Sequence, residues 1–159
     1  MKNILIPTDF SGCANAAAQF GIQLAKITDA KIELLHIIST PIDWAKIPLG
    51  KEKNYPETIK QIGNAKNELS KWIKKAIKKN VKVSQFLTFN KGNDEIFNHT
   101  QTHHSDLIIM GSHGSKGFKE LVMGSNAQQI IRKSTIPVLI IKSKVEKPIK
   151  NILFVSDFK

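Results

Sequence analysis

A single cysteine, Cys13, leaves this 159-residue chain unable to close an internal disulfide, and a reducing cytoplasm is the expected compartment. Long apolar runs are missing as well. Leu107–Met110 and Ile136–Ile141 are typical, and neither approaches the roughly 20 residues a membrane span requires. The start, Met1 to Pro7, holds too short an apolar stretch for a secretory signal, so no membrane role is expected. Acidic residues are scarce: 13 Asp and Glu against 24 Lys and Arg give a formal charge of +11. Such a balance favours anionic partners. Aromatic residues are few, and the lysine-rich segment Lys71–Lys79 contains only Trp72, so the interleaved stacking residues of a nucleic-acid surface are absent from it. Those lysines read instead as the solvated face of an amphipathic helix whose spacing puts Trp72 on the buried stripe. Three chemical signatures are also lacking: the Gly-Lys-Ser/Thr of a P-loop, the compact Gly-x-Gly-x-x-Gly of dinucleotide folds, and the Gly-x-Ser-x-Gly elbow of hydrolases.

What is present alternates between two kinds of segment. Short runs rich in β-branched residues occur at Ile4–Ile6, Ile32–Ile38, Val81–Thr88, Leu107–Met110 and Pro137–Ile141. Their lack of polar alternation predicts strands covered on both faces. Helical periodicity fills the gaps. Ser11 reads as the N-cap of a first helix whose buried face carries Cys13, Ala17, Phe20, Gly21, Leu24 and Ala25. On that stripe Cys13 reads as a packed small side chain rather than a reactive thiol. Ser39–Asn54, with two prolines and a glycine, predicts a mobile loop. A second helix is expected from Pro56 to Asn80, burying Ile59, Ile62, Leu69, Ile73, Ala76 and Ile77, a third over Asp94–Thr102 and a fourth over Ser125–Lys133. The order βαβαβαβαβ predicts an α/β fold: an open, doubly wound, parallel five-stranded sheet with helices on both faces. Ligands of such sheets sit at the carboxyl ends of the strands, here just after Ile6, Ile38 and Met110.

The two ends of the chain resemble each other. Lys2–Phe10 and Lys150–Phe158 share a Lys-Asn-Ile-Leu start and an Asp-Phe finish. Self-similarity of this kind predicts a duplicated unit. We therefore expect a domain over residues 1–142, a linker over 143–149, and the first strand of a truncated second repeat over 150–159.

The most informative segment is Leu107–Ser125, in which a buried strand runs into Gly111-Ser112-His113-Gly114 and, nine residues later, Gly124-Ser125 opens a helix. Glycines let the backbone approach a ligand closely, and a helix N-terminus presents unpaired N–H groups that suit phosphate. Ser125 is expected to cap that helix, to meet a phosphate oxygen, or both in turn. Read alone, this spacing fits turn chemistry without a ligand equally well.

The pattern Gly111-x2-Gly114-x9-Gly124-Ser125 resembles, glycine for glycine, the ATP-binding signature of the universal stress protein family. Ile4–Ser11, Leu34–Ile37 and Ser134–Ile140 resemble that family's first, second and last strands, so the likeness runs over residues 2–142. It implies an adenine-nucleotide alpha hydrolase-like, Rossmann-like fold and an ATP-binding module of the stress response. Asp9 would meet the ribose hydroxyls, with Pro7 and Thr8 beside the adenine. The adenine edge would meet the backbone of Ile37. Met110 and Gly111 would lie along the nucleoside, Ser112 and His113 at the outer edge of the phosphate loop, and Gly114, Gly124, Ser125 and Asn126 around the phosphates. Mg2+ bridging the phosphates fits the resemblance, although no carboxylate cage is apparent. Partners implied are ATP or a related adenine nucleotide, protein partners of unknown identity, and a second copy of the chain, making a homodimer through the edge strand Val138–Ile141.

No catalytic residue and no metal ligand is assigned. A general base aimed at a γ-phosphate is missing, so ATP hydrolysis is expected to be slow at most. An adenylating enzyme would need a pyrophosphate-gripping loop early in the chain, which Pro7–Ser11 does not supply. A nucleic-acid-binding protein remains the weaker alternative. Ser112, His113, His104 and Asp106 make a conceivable nucleophile set. His99 and His103 share a helix face at i and i+4, but no third metal ligand is evident in the sequence. His36, inside a strand, reads as a core or rim histidine, and Trp44 either covers the adenine side of a cleft or packs ordinarily.

Overall fold

A computed structural model describes residues 1–89, 92–113, 123–146, 149 and 151–153. Five strands form one sheet: β1 (Asn3–Pro7), β2 (Lys31–Ile38), β3 (Val83–Phe89), β4 (Leu107–Gly111) and β5 (Val138–Ile141). Its order is β3-β2-β1-β4-β5, and every pairing is parallel. The chain winds outward from β1 to β3, then crosses back to β4 and β5. Winding therefore reverses between β1 and β4, and a crevice must open where the connections diverge.

Ile4, Leu5 and Ile6 have no exposed surface, because successive side chains enter opposite layers. Ile4 and Ile6 join Ile32, Leu34 and Ile109 against α1 (Gly12–Thr28) and α2 (Pro56–Ile77). On the other side, Leu5, Leu35, Ile108 and Met110 meet Ile96 of α3 (Asp94–Thr102) and Ala127 and Ile130 of α4 (Ser125–Lys133). This is the expected doubly wound sheet with helices on both faces.

Ser11 caps α1 as expected, its Oγ accepting from the Ala14 N–H at 3.2 Å. Behind it Ala14, Ala16, Ala17, Ala18 and Gly21 are buried, and these small residues let the helix lie close to the sheet. Asp29 ends α1 with a left-handed φ of 51°.

Two expectations are corrected. Helix α2 stops at Ile77, with Lys78–Asn80 a turn ending in left-handed Asn80. Its buried stripe is Thr58, Ala65, Leu69, Trp72 and Ala76, whereas Ile59 and Ile77 are exposed. The Ser39–Asn54 segment contains two 3-10 turns, Trp44–Lys46 and Glu52–Asn54, and Trp44 packs against Tyr55 and Phe89 with ring centroids 6.2 and 6.1 Å away. The strand expected over 150–159 falls mostly outside the described residues, which include only 151–153 of it; Ile152 and Leu153 there are exposed. Among the described residues no helix is long and apolar enough to cross a membrane.

Candidate functional site

A cleft of about 980 Å3 opens at the carboxyl ends of β1, β2 and β4, where the winding reverses. Its floor is the turn after β1. Thr8 N–H donates to the Leu35 carbonyl at 2.9 Å, and the Thr8 carbonyl meets His36 Nδ1 at 2.7 Å. Phe10 N–H donates to Thr8 Oγ1, and Ser11 N–H to Asp9 Oδ1. Phe10 sits at φ 63°, a left-handed conformation unfavourable for a bulky side chain. Its ring lies on His36, with centroids 4.4 Å apart, and this packing compensates the backbone. His36 is thus a satisfied rim histidine, and the turn holds Pro7, Thr8 and Asp9 at the cleft.

The second wall comes from β4 and the segment beyond it. Ser112 N–H donates to the Ile141 carbonyl, and Gly124 N–H donates to the Ser112 carbonyl at 2.9 Å. The second bond joins the two ends of the glycine loop. Gly111 lies against α1 so tightly that a Cβ there would stand 2.8 Å from the Ala14 nitrogen and the Cys13 carbonyl carbon. Cys13 is half-buried, its Sγ 3.1 Å from the Lys142 carbonyl oxygen. The packed role read for it fits this setting.

Gly124, in extended conformation, is the N-cap of α4, and no side chain caps that end. Ser125 is the first helical residue, which corrects its expected capping role. Among the described residues no side chain takes up the first-turn N–H groups, and this helix start, Gly124 to Gln128, lines the cleft. Asn126 Oδ1 is 3.4 Å from Asn93 Nδ2, and Asn93 also donates to Gln129 at 2.6 Å, linking this helix end to that of α3.

Eleven of the sequence-derived residues thus line one cleft: Pro7, Thr8, Asp9, Ile37, Met110, Gly111, Ser112, His113, Gly124, Ser125 and Asn126. Gly114 and residues 115–122 lie outside the described residues. Sequence reading missed Ala14, Leu35, Ser39, Asn93 and Ile96 on the walls. Asn93, one residue before a predicted helix, was within reach as a capping-type residue. Ala14, Leu35 and Ile96 are ordinary core positions whose outer surface faces the cleft, and Ser39 is an exposed residue just beyond β2. The described lining does not include Trp44.

The conceivable nucleophile set comes apart. Ser112 Oγ and His113 Nδ1 are 2.8 Å apart, but Asp106 sits at the opposite end of the sheet, accepting from the Lys2 and Asn3 N–H groups. Those two bonds hold the Asp106 carboxyl below its ordinary value. His104, in left-handed conformation, offers its carbonyl to Asn3 Nδ2 at that same end. His113 Nε2 is buried with no hydrogen-bond partner among the described residues, so no group there orients it as a base. His99 and His103 lie away from the cleft, against Glu33 of β2.

Comparison with known proteins places the chain in a family. The family model described as "Universal stress protein family" matches residues 1–142. Universal stress protein MJ0577 of Methanocaldococcus jannaschii is 32% identical over 155 residues, spanning 90% of this chain and 96% of the relative. The solved structure of MJ0577 superposes with a TM-score of 0.75 at 31% identity, covering 91% of this chain and 98% of its own. A universal stress protein from Archaeoglobus fulgidus, solved in complex with dAMP, shares the fold at a TM-score of 0.64 and 19% identity, covering 89% and 98%. Another, solved in complex with cAMP, has a TM-score of 0.62 at 17% identity, covering 90% and 98%. Matched in sequence over nearly its whole folded part and in structure over its sheet and helices, this chain belongs to the universal stress protein family.

Proposed function

We propose that the cleft binds ATP or a related adenine nucleotide, with Mg2+ on its phosphates, and that the domain acts as a nucleotide-dependent binding module in a cytoplasmic stress response. The observation that carries this reading is the convergence of the uncapped N-terminus of α4, the Gly111 approach and the Asp9 turn on one cleft. A volume of about 980 Å3 stands at the upper end of the roughly 300–1,000 Å3 usual for small-molecule sites. Asp9 is the only formally charged side chain in the described lining. Phosphates would therefore be held by backbone N–H groups and by His113 Nε2, whose missing partner an oxygen anion would supply. Asp9 would accept from the ribose hydroxyls, and Ile37 would present its backbone to the adenine edge. Pro7, Thr8, Met110 and Gly111 would enclose the nucleoside, with Ser112, Gly114, Gly124, Ser125 and Asn126 around the phosphates. The neighbours solved with dAMP and cAMP make adenine the reasonable base.

No lysine or arginine in the described lining is placed to neutralise a transferring phosphoryl group, which supports binding with at most slow hydrolysis. The likeness of Lys150–Phe158 to Lys2–Phe10 supports reading residues 150–159 as the start of a second unit in a tandem protein. The test of the nucleotide reading is native mass spectrometry before and after adding ATP and Mg2+. A mass increment equal to ATP is expected, lost in Gly124→Leu, and ADP accumulating over hours would reveal slow turnover. Absence of binding at millimolar ATP would reduce the glycine loop to turn chemistry.

A further inference from the structure

Glu33 is a carboxylate in the middle of β2 with 1% of its surface exposed. Such a group must be paired, and Lys31 does that on one oxygen: its Nζ lies 2.8 Å from Oε1. The other oxygen, Oε2, points elsewhere. It stands 2.8 Å from His99 Nε2 and 3.4 Å from His103 Nδ1. The two imidazoles stack face to face, centroids 4.0 Å apart and planes 4° from parallel. Phe86 packs edge-on against both rings, at 4.5 and 4.7 Å, and closes one side of the cluster to water.

We propose that Glu33, His99 and His103 form a binding site for a divalent transition-metal ion of the zinc class. Their three donor atoms all lie within 4.8 Å of one another. A tetrahedral ion with nitrogen ligands at 2.0–2.1 Å needs donors about 3.4 Å apart, the separation present between Glu33 and His103; His99 would draw back from its 2.8 Å contact and the partly exposed His103 ring would turn out of the stack, so that both in-plane lone pairs meet the ion. Two imidazoles and one carboxylate select Zn2+ or its transition-metal neighbours over Mg2+ and Ca2+, which prefer all-oxygen shells. His103, with 31% of its side chain exposed, gives the ion an entry path and leaves a fourth position to water. Lys31 on Oε1 would keep the carboxylate monodentate, while its own partly exposed side chain lets the ammonium move toward solvent as the dication arrives.

The site is separate from the cleft and would join β2 to the carboxyl end of α3. The opposite end of α3 contributes Asn93 and Ile96 to the cleft wall, so an ion here would brace that wall.

The experiment is titration of the nucleotide-free full chain with Zn2+ at neutral pH, followed by calorimetry and by the histidine ring resonances. One ion per chain is expected. Of the five histidines, the rings of His99 and His103 should shift, while His36, His104 and His113 stay in place. In His103→Gln, a substitution at a half-exposed position, affinity should fall by at least about 10–100-fold, the scale on which even supporting residues act. Lys31→Met should bind more tightly, since a repelling charge is gone. No uptake at millimolar Zn2+, shifts confined to His36, His104 or His113, or unchanged affinity in His103→Gln would each overturn the site. The ring resonances of the unsubstituted chain test the site even if a variant fails to fold.

Discussion

Gly111 and Gly21 show how the same substitution can have opposite consequences at two residues. At Gly21 an added Cβ would come within 2.4 Å of Ile6 Cδ1, the tip of a side chain that can rotate away. At Gly111 the nearest atoms, at 2.8 Å, are the backbone of Cys13 and Ala14, which can move only if α1 and β4 separate. Alanine also gains helix propensity inside α1, roughly 1 kcal/mol over glycine. Denaturant unfolding should therefore find Gly21→Ala within about 1 kcal/mol of the parent, and Gly111→Ala destabilised by about 1–3 kcal/mol. Asp106 supplies a second prediction at this scale. The Lys2 N–H, then the Asn3 N–H, lower its folded value, so its stabilisation is fully present above the ordinary value of 3.8 and is lost as pH falls through the depressed folded one. Asp106→Asn should be less stable at neutral pH, with a smaller loss of stability in the acid window below 3.8. Thermal melts between neutral pH and about pH 2 check this. An unchanged melting temperature at neutral pH would contradict it.

Among the elements, α2 separates what periodicity can and cannot tell. Its start at Pro56 and its amphipathic character were legible, because proline at the first turn and a lysine-rich outer face are local features. The orientation of its stripe was legible in part. Leu69, Trp72 and Ala76 are buried where the spacing puts them, whereas contact with the sheet left Ile59 and Ile77 facing outward. Trp72 helps to set that rotation: its indole N–H donates to Asn15 Oδ1 on α1 at 3.0 Å, and Lys75 lies 3.9 Å above the ring. Leu69→Ala should cost about 2–5 kcal/mol, as for other buried leucines. Ile77→Ala and Ile59→Ala, on the exposed side, should stay within about 0.5 kcal/mol. Equal losses at Leu69 and Ile77 in chemical denaturation would mean that α2 sits in a different rotation. Helix α4 carries a similar lesson: its span, Ser125–Lys133, was legible, but which residue caps it depended on the bond from Gly124 to Ser112.

At the scale of the whole molecule, β5 is an outer strand, paired among the described residues with β4 alone, and its Val138, Leu139 and Ile140 are half-buried. An apolar edge of this kind invites pairing with another strand. We propose a homodimer through β5, and sedimentation equilibrium should show the dimer mass at micromolar concentration. A strictly monomeric species across the concentration range would remove that assembly.

The sequence by itself determined the number, type and order of the elements, the parallel sheet and the glycine-bearing turn. Caps, β-branched runs and glycine spacing act on the backbone within a few residues, so they can be read locally. Only tertiary structure decided the contacts between distant segments. It brought Ser112 to Gly124 and moved Asp106 away from His113. It also set Glu33 against His99 and His103, giving the two histidines the third ligand that their own helix does not contain. The physical reason is range: β2 and α3 meet only because the sheet pairs β2 beside β1 and the crossover after β3 lays α3 over them. No pattern within either segment encodes that meeting.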